Sequence, residues 1–352
     1  MIMNRYSRQI KLPQVGNAGQ QKIERARVLV IGAGGLGCAV LPYLTSAGIG
    51  TIGIIDGDTV DETNLHRQVL YAENTVGKSK AREAVSKLEA LNSNVKFEVY
   101  DEFLSAENAL QIIANYDIIV DATDTIAIRY LINDACVILD KPFVYGSVFR
   151  FEGQISVFNY KNGPTYRCLF KNEKGIVQNC AEVGVLGTTV GFTGMLQANE
   201  VMKMILEIGE ILSGKLLVYN ALTNDQSIFQ YKKDENLVIN TDFFEAEYLQ
   251  NQVSEINPEE ALALNSLLLD VREFDETPQL DLENSIQIPL SVLESEMHQL
   301  DKNNEILIYC QSGKRSLVAA KLLQKNQFNK IKSIKGGALA MNQIIENEKS
   351  IY

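Results

Sequence analysis

No run of apolar residues in this chain of 352 reaches the roughly 18 that a membrane-crossing helix requires, so no transmembrane span and no membrane partner are expected. The opening residues, Met1 to Ile10, lack the apolar core of a secretory signal, and a cytoplasmic protein is expected. Basic residues are also in deficit. Lys and Arg total 33 against 44 Asp and Glu, and a net charge of −11 argues against general nucleic-acid binding, which needs a basic surface to neutralise phosphates. A local basic pocket remains compatible with that balance. Cysteine pairs are missing as well: Cys38, Cys136, Cys168, Cys180 and Cys310 are odd in number and widely spaced, with no CxxC among them, which fits a reducing compartment.

What is present is an ordinary globular composition, 46% hydrophobic and 22% charged, in a chain long enough for two domains. The most informative stretch is Val28-Leu-Val-Ile-Gly-Ala-Gly-Gly-Leu-Gly-Cys38. Four apolar residues predict a short buried strand, Gly32, Gly34 and Gly37 a glycine turn, and Cys38 to Ala47 a helix. Glycine lets backbone N–H groups approach a phosphate, and the helix dipole there favours negative charge. A second strand, Thr51 to Ile55, ends on Asp56, nineteen residues after Gly37, where a carboxylate can accept from ribose hydroxyls. The stretch reads as a nucleotide site. Which nucleotide it takes is left open by these residues.

A polar loop from Gly57 to Gln68 follows, and Lys78-Ser-Lys80 opens a helix running to Leu91. Lysines at a helix start oppose the dipole. An anion held between the glycine turn, Arg67 and Lys80 would remove that penalty, while Lys80 alone is equally consistent with a solvated lysine. The segment Tyr116 to Asp124 predicts a strand that delivers Asp121 and Asp124 to the sheet edge where ligands bind in open α/β sheets. Strands near 95–100 and 142–145 and helices near 106–114 and 126–139 complete the alternation. The expected fold is α/β, a Rossmann-like doubly wound, mostly parallel sheet, with an antiparallel extension from 151–160, 216–219 and 227–231. The apolar pattern from Val185 to Ile208 predicts a buried core helix.

Composition shifts after Lys232, and residues 236–252 read as a linker between domains 1–235 and 253–352. The pattern then restarts as a second small α/β domain whose strand 305–309 runs into Cys310-Gln-Ser-Gly-Lys-Arg-Ser316 and a helix. Backbone N–H groups, Lys314 and Arg315 around Cys310 would favour a reactive thiolate.

In family order and spacing, Arg5-Tyr-Ser-Arg8-Gln-Ile, Gly32-Ala-Gly-Gly-Leu-Gly37, Asp56-Gly-Asp58, Asn64-Leu-His-Arg67-Gln68, Val76-Gly-Lys-Ser-Lys80 and Ala122-Thr-Asp124 resemble the ubiquitin-activating-type adenylyltransferases. That family includes molybdopterin-synthase and thiamine-pathway members. The second domain resembles a rhodanese, through Leu269-Asp-Val-Arg-Glu273, Ile288-Pro-Leu290 and the Cys310 loop. The resemblance implies ATP and Mg2+ as cofactors. Gly32, Gly34, Gly35 and Gly37 would approach the nucleotide and Asp56 would hold the ribose. Asp58 and Gln68 fall in the same motifs. Asn64, Arg67 and Lys80 would contact the phosphates, Asp124 would hold magnesium, and Arg8 would reach into the partner subunit's site of a homodimer. The implied substrate is the C-terminal glycine carboxylate of a small ubiquitin-like sulfur carrier ending in Gly-Gly, converted to an acyl-adenylate for molybdopterin or thiamine biosynthesis or tRNA thiolation. Cys310 would carry a persulfide received from a donor such as a cysteine desulfurase. Cys180 matches a position that in some members bonds covalently to the carrier and in others has no such role.

Two departures stand out. Zinc-containing relatives use two CxxC pairs, but here Thr165 replaces the first cysteine and Asp234-Glu-Asn-Leu-Val-Ile-Asn240 offers none, so no zinc is expected. An Asp-Asn pair is replaced by Asp124-Thr125. A nicotinamide-dependent oxidoreductase would explain the glycines and Asp56 but not Arg67, Lys80, Asp124 and Cys310. A non-catalytic scaffold would not need the phosphate-facing cations.

Overall fold

The computed structural model of the chain describes residues 5–171, 184–249 and 253–349. They form two compact units, Met1–Glu245 and Ala246–Tyr352. In the first, an eight-stranded sheet has the order β3-β2-β1-β4-β5-β6-β7-β8, with β1 Arg27–Ile31, β2 Thr51–Ile55, β3 Lys96–Tyr100, β4 Ile118–Asp121, β5 Phe143–Phe149, β6 Glu152–Phe158, β7 Lys215–Asn220 and β8 Gln226–Gln230. The pairs from β3 through β5 are parallel, and those from β5 through β8 are antiparallel.

Parallel strands covered on both faces read as unbroken apolar runs. Val28, Leu29, Val30 and Ile31 are accordingly all buried. The register has a direct consequence for the site: Ile31 lies opposite Ile55 on one side and Asp121 on the other. The next residues in each strand, Gly32, Asp56 and Ala122, therefore emerge together at one sheet edge. The order also reverses direction between β1 and β4, which opens a crevice at that edge.

The Gly187–Leu206 helix crosses the Gly35–Ala47 helix. A Cβ at Gly194 would lie 2.7 Å from the Leu36 carbonyl oxygen, so the small residues at the start of the long helix are what permit that approach. Within the expected linker, Thr241–Phe244 is helical and packs against the Ile126–Ile138 helix, with Phe244 fully buried.

The second unit is a five-stranded parallel sheet, order β11-β10-β12-β13-β9, with β9 Ser254–Ile256, β10 Leu267–Asp270, β11 Ser285–Gln287, β12 Ile306–Tyr309 and β13 Ile331–Ile334. Ile306, Leu307 and Ile308 of the central strand are fully buried. Two elements lie outside the sequence expectation: β9, only three residues long, and the Gly337–Lys349 helix, whose first residue and the preceding Gly336 both take positive φ. No described helix is long and apolar enough to cross a membrane.

Candidate active site

A cleft of about 230 Å³ occupies the crevice at the carboxyl ends of β1, β2 and β4. Gly32 turns at φ 95°, and a Cβ at Gly37 would lie 2.2 Å from the Gly32 carbonyl oxygen, so the turn closes only with glycine at both positions. On the next strand, Asp56 accepts from the N–H of Ala33 at 2.7 Å and of Asp58 at 2.8 Å. Burial raises the Asp56 carboxyl above its ordinary value, opposed by those two N–H groups and by Lys80. One carboxylate thus braces the glycine turn while lining the cleft.

Lys80 is not a solvated helix-start lysine. Its side chain is 7% exposed, lines the cleft, and reaches Asp58 Oδ2 at 3.0 Å. Tyr71 fixes the geometry between the two motifs, its hydroxyl donating to the Ala33 carbonyl at 2.7 Å and lying 3.2 Å from that of Lys80. Arg67 also lines the cleft and donates to Asn64 Oδ1 at 2.6 Å, with His66 Nε2 2.7 Å away. A Cβ at Gly35 would meet Arg67 Cγ at 3.5 Å, which places the arginine stem directly over the start of the Gly35–Ala47 helix. Gln68 is buried beneath the glycines, its Nε2 within 3.7 Å of a Cβ at Gly34.

The third wall is the end of β4. Asp124 is exposed on the cleft wall, its Oδ1 3.3 Å from the Thr125 hydroxyl. Asp121 differs from the sequence expectation for this edge. It is fully buried and outside the cleft, accepting from the N–H and hydroxyl of Thr123 at 3.0 and 2.7 Å, with Arg129 Nε 3.8 Å away. Burial raises its carboxyl, against the pull of Arg129.

Sequence reasoning passed over three residues here. Arg129 sits on the buried side of the Ile126–Ile138 helix, donates to the Thr123 carbonyl at 2.9 Å and lies over the Tyr145 ring. Gln197 donates to the carbonyls of Asp121 and Val144. With Tyr71, they share a signal that was visible: a polar side chain inside an apolar pattern.

The remaining expected residues are placed differently. Arg8 is exposed on the short Ser7–Ile10 helix and does not line this chain's cleft. Asn64 reaches it only through Arg67. Cys180 lies outside the described residues.

In the second unit, Cys310 follows β12 at 1% exposure, its Sγ 3.8 Å from Ser316 Oγ. Gly313 takes φ 91° to turn the loop into the Lys314–Lys325 helix. The Cys310 carbonyl accepts from Ala338 at 2.7 Å, and a Cβ at Gly337 would sit 2.0 Å from it, so the second glycine pair clamps the loop from beneath. Arg315 makes a two-pronged pair with Glu276, and the buried Arg272 pairs with Asp270 while donating to the Pro278 carbonyl at 2.8 Å.

At the position where zinc-containing relatives gather sulfur ligands, a small pocket is lined by Thr165, Cys168, Lys233 and Asp234. Cys168 Sγ accepts from the N–H of Thr165 and of Asp234, each at 3.4 Å, and is 3.3 Å from the Thr165 hydroxyl. With Cys168 as the one sulfur of the lining and no imidazole beside it, these residues do not supply the four sulfur or nitrogen ligands of a tetrahedral structural zinc centre. Lys233 completes the clasp by donating to Asn162 Oδ1 at 2.5 Å.

Residues 6–238, which hold the glycine turn, Asp56, Arg67 and the Asp58–Lys80 pair, match a family model described as the ThiF family. The chain belongs to the ThiF family. Residues 246–343 match a rhodanese-like domain. The chain is 38% identical over 392 residues to an adenylyltransferase and sulfurtransferase MOCS3 of Culex quinquefasciatus, covering 99% of this chain and 89% of that protein. It is 48% identical over 227 residues to a sulfur carrier protein adenylyltransferase of Thermus thermophilus, covering 62% of this chain and 84% of that one. Escherichia coli MccB shares the fold, with a TM-score of 0.61 at 23% identity, over 67% of this chain and 74% of its own. This ThiF-family chain is an adenylyltransferase joined to a rhodanese-like sulfurtransferase domain. The dinucleotide-oxidoreductase alternative is thereby set aside.

Proposed function

We propose that this chain uses ATP to activate the C-terminal glycine carboxylate of a small ubiquitin-like sulfur carrier ending in Gly-Gly, and that Cys310 supplies the sulfur that replaces the activated oxygen. The observation that carries the first half is the convergence of Asp56, Arg67, Lys80 and Asp124 around one glycine turn. The carboxylate oxygen attacks the α-phosphorus of ATP, the bond to the β-phosphate oxygen breaks, and an acyl-adenylate and pyrophosphate result. Charge accumulates on phosphoryl oxygens as this happens. Arg67, Lys80 and the N–H groups of the glycine turn would stabilise it in a site partly shielded from water. Asp56 would accept from the ribose.

Asp124 would hold Mg2+ with phosphate oxygens and water completing its shell, since this hard cation usually binds through one or two carboxylates plus substrate. When bound, the ion would neutralise the phosphates and orient the α-phosphorus for in-line attack. Arg8, exposed and outside the lining of this chain's own cleft, is the residue a second subunit would contribute in a homodimer.

Sulfur transfer would then proceed from a Cys310 persulfide, loaded by a protein such as a cysteine desulfurase. Its terminal sulfur attacks the acyl carbon and AMP leaves, giving an acyl disulfide with Cys310. A thiol would then attack the Cys310 sulfur, the S–S bond to the acyl sulfur would break so that the carrier thiocarboxylate leaves, and a second thiol would reduce the mixed disulfide to restore Cys310. Cys180 is the candidate for any covalent link to the carrier. The name of the Thermus relative supports a sulfur carrier as partner, and carriers for molybdopterin, thiamine or tRNA thiolation are the candidates in a cytoplasmic setting.

ATP–pyrophosphate exchange with purified full-length protein tests the reading, using candidate carriers with and without their terminal Gly-Gly. Exchange that depends on the intact tail is expected. ATP binding without exchange for any carrier would overturn the carrier as substrate.

A further inference from the structure

Charge around Cys310 is less positive than the loop sequence implies. Of the two cations in Cys310-Gln-Ser-Gly-Lys-Arg315, Arg315 is engaged on both terminal nitrogens by the two oxygens of Glu276, and Glu276 Oε1 is also fixed by the Glu273 N–H at 2.9 Å. The Arg315 contact holds the Glu276 carboxyl below its ordinary value, so the pair is ionised at neutral pH. Arg272, beneath the same loop, is likewise neutralised by Asp270. Gln311 turns outward and donates to the Thr277 carbonyl at 2.6 Å, so it ties the Cys310 loop to the 272–279 segment. That segment brings Glu273 and Asp275 with it.

We infer that Glu276 sets the class of sulfur donor at Cys310, disfavouring a small dianion such as thiosulfate and leaving a persulfide as the preferred donor. This rests on the reading of Cys310 as the sulfur carrier. Thiosulfate must bring two negative charges against a thiolate, and each like-charge contact at ~4 Å costs roughly 1 kcal/mol in water and about 4 at an effective dielectric of 20. A free guanidinium would offset that repulsion; one already forked onto a carboxylate does so far less. A persulfide donor brings a single charge at its reacting sulfurs, and any other charge it carries lies several bonds away.

Both transfers balance without an added oxidant. With thiosulfate, the Cys310 thiolate attacks the outer sulfur, its bond to the sulfonate sulfur breaks, and sulfite leaves with the electron pair. With a persulfide, the thiolate attacks the terminal sulfur and the donor thiolate leaves. Cyanide then removes the sulfur as thiocyanate and restores Cys310.

The test measures thiocyanate formation by the full chain and its E276Q, E276A and C310A variants, with thiosulfate and with glutathione persulfide. The expected result is that the ratio of kcat/KM for thiosulfate to that for the persulfide rises roughly tenfold in both Glu276 variants, mainly through thiosulfate KM, and that the rise shrinks with added salt. An unchanged ratio in folded E276Q and E276A would overturn the assignment of Glu276. Transfer persisting in C310A would instead overturn Cys310 as the carrier, whatever Glu276 does.

Discussion

Asp58 is 57% exposed at its side chain, whereas its partner Lys80 is 7% exposed, and this asymmetry decides what each substitution should do. Removing the lysine leaves a carboxylate that water can solvate, so Lys80→Ala is expected to cost little stability. A positioned cation on developing phosphoryl charge is worth about two to three orders of magnitude in rate. Lys80→Ala should therefore lower kcat/KM for carrier-dependent pyrophosphate exchange by roughly 100- to 1,000-fold while the thermal midpoint stays near wild type. A large drop in midpoint would instead make Lys80 a structural residue and sink the catalytic assignment. The residues of the cleft were legible because motif spacing fixed them to strand ends. Their partners were not: Tyr71 bonds to Ala33 and Lys80, and Arg129 to Thr123, through contacts that exist only once helices and strands are packed.

At the scale of elements, the alternation of apolar runs and amphipathic helices made the strands legible, and the register of β1 between β2 and β4 turned separate motifs into one cleft. The three-residue β9 was hidden because a strand so short has no period to read, and its pairing with β13 supplies what its sequence lacks. The sheet edge offers a direct test of electrostatics. Glu98 on β3 meets Lys96 at 2.7 Å, Tyr116 at 2.8 Å and Arg27 on β1 at 3.0 Å. These contacts, the Lys96 bond foremost, lower its pKa from 4.5 to about 2. A carboxyl depressed on folding stabilises fully above its unfolded value, and that stabilisation disappears as pH falls through the folded one. Glu98→Gln should thus unfold a few degrees below wild type at pH 7, and the two midpoints should converge as pH drops from 4.5 toward 2. A gap that persists at pH 2 would assign the effect to packing.

At the scale of the whole molecule, the two units have separate cores, one around β1, β2 and β4 and the other around β10, β12 and β13. The cleft is lined throughout by residues of the first unit, and the Cys310 loop is clamped by residues of the second. The two half-reactions should therefore separate by single substitutions in the intact chain. Asp124→Ala is expected to abolish pyrophosphate exchange while thiocyanate formation from persulfide persists. Cys310→Ala should do the reverse. Thiocarboxylate formation on the carrier, which needs activation and sulfur in sequence, should fail in both, and mixing the two variants should restore it if a persulfide on one chain can reach an adenylate made by another. Loss of exchange in Cys310→Ala would mean that the cysteine supports adenylylation itself, and the division of labour argued from the two cores would have to be abandoned.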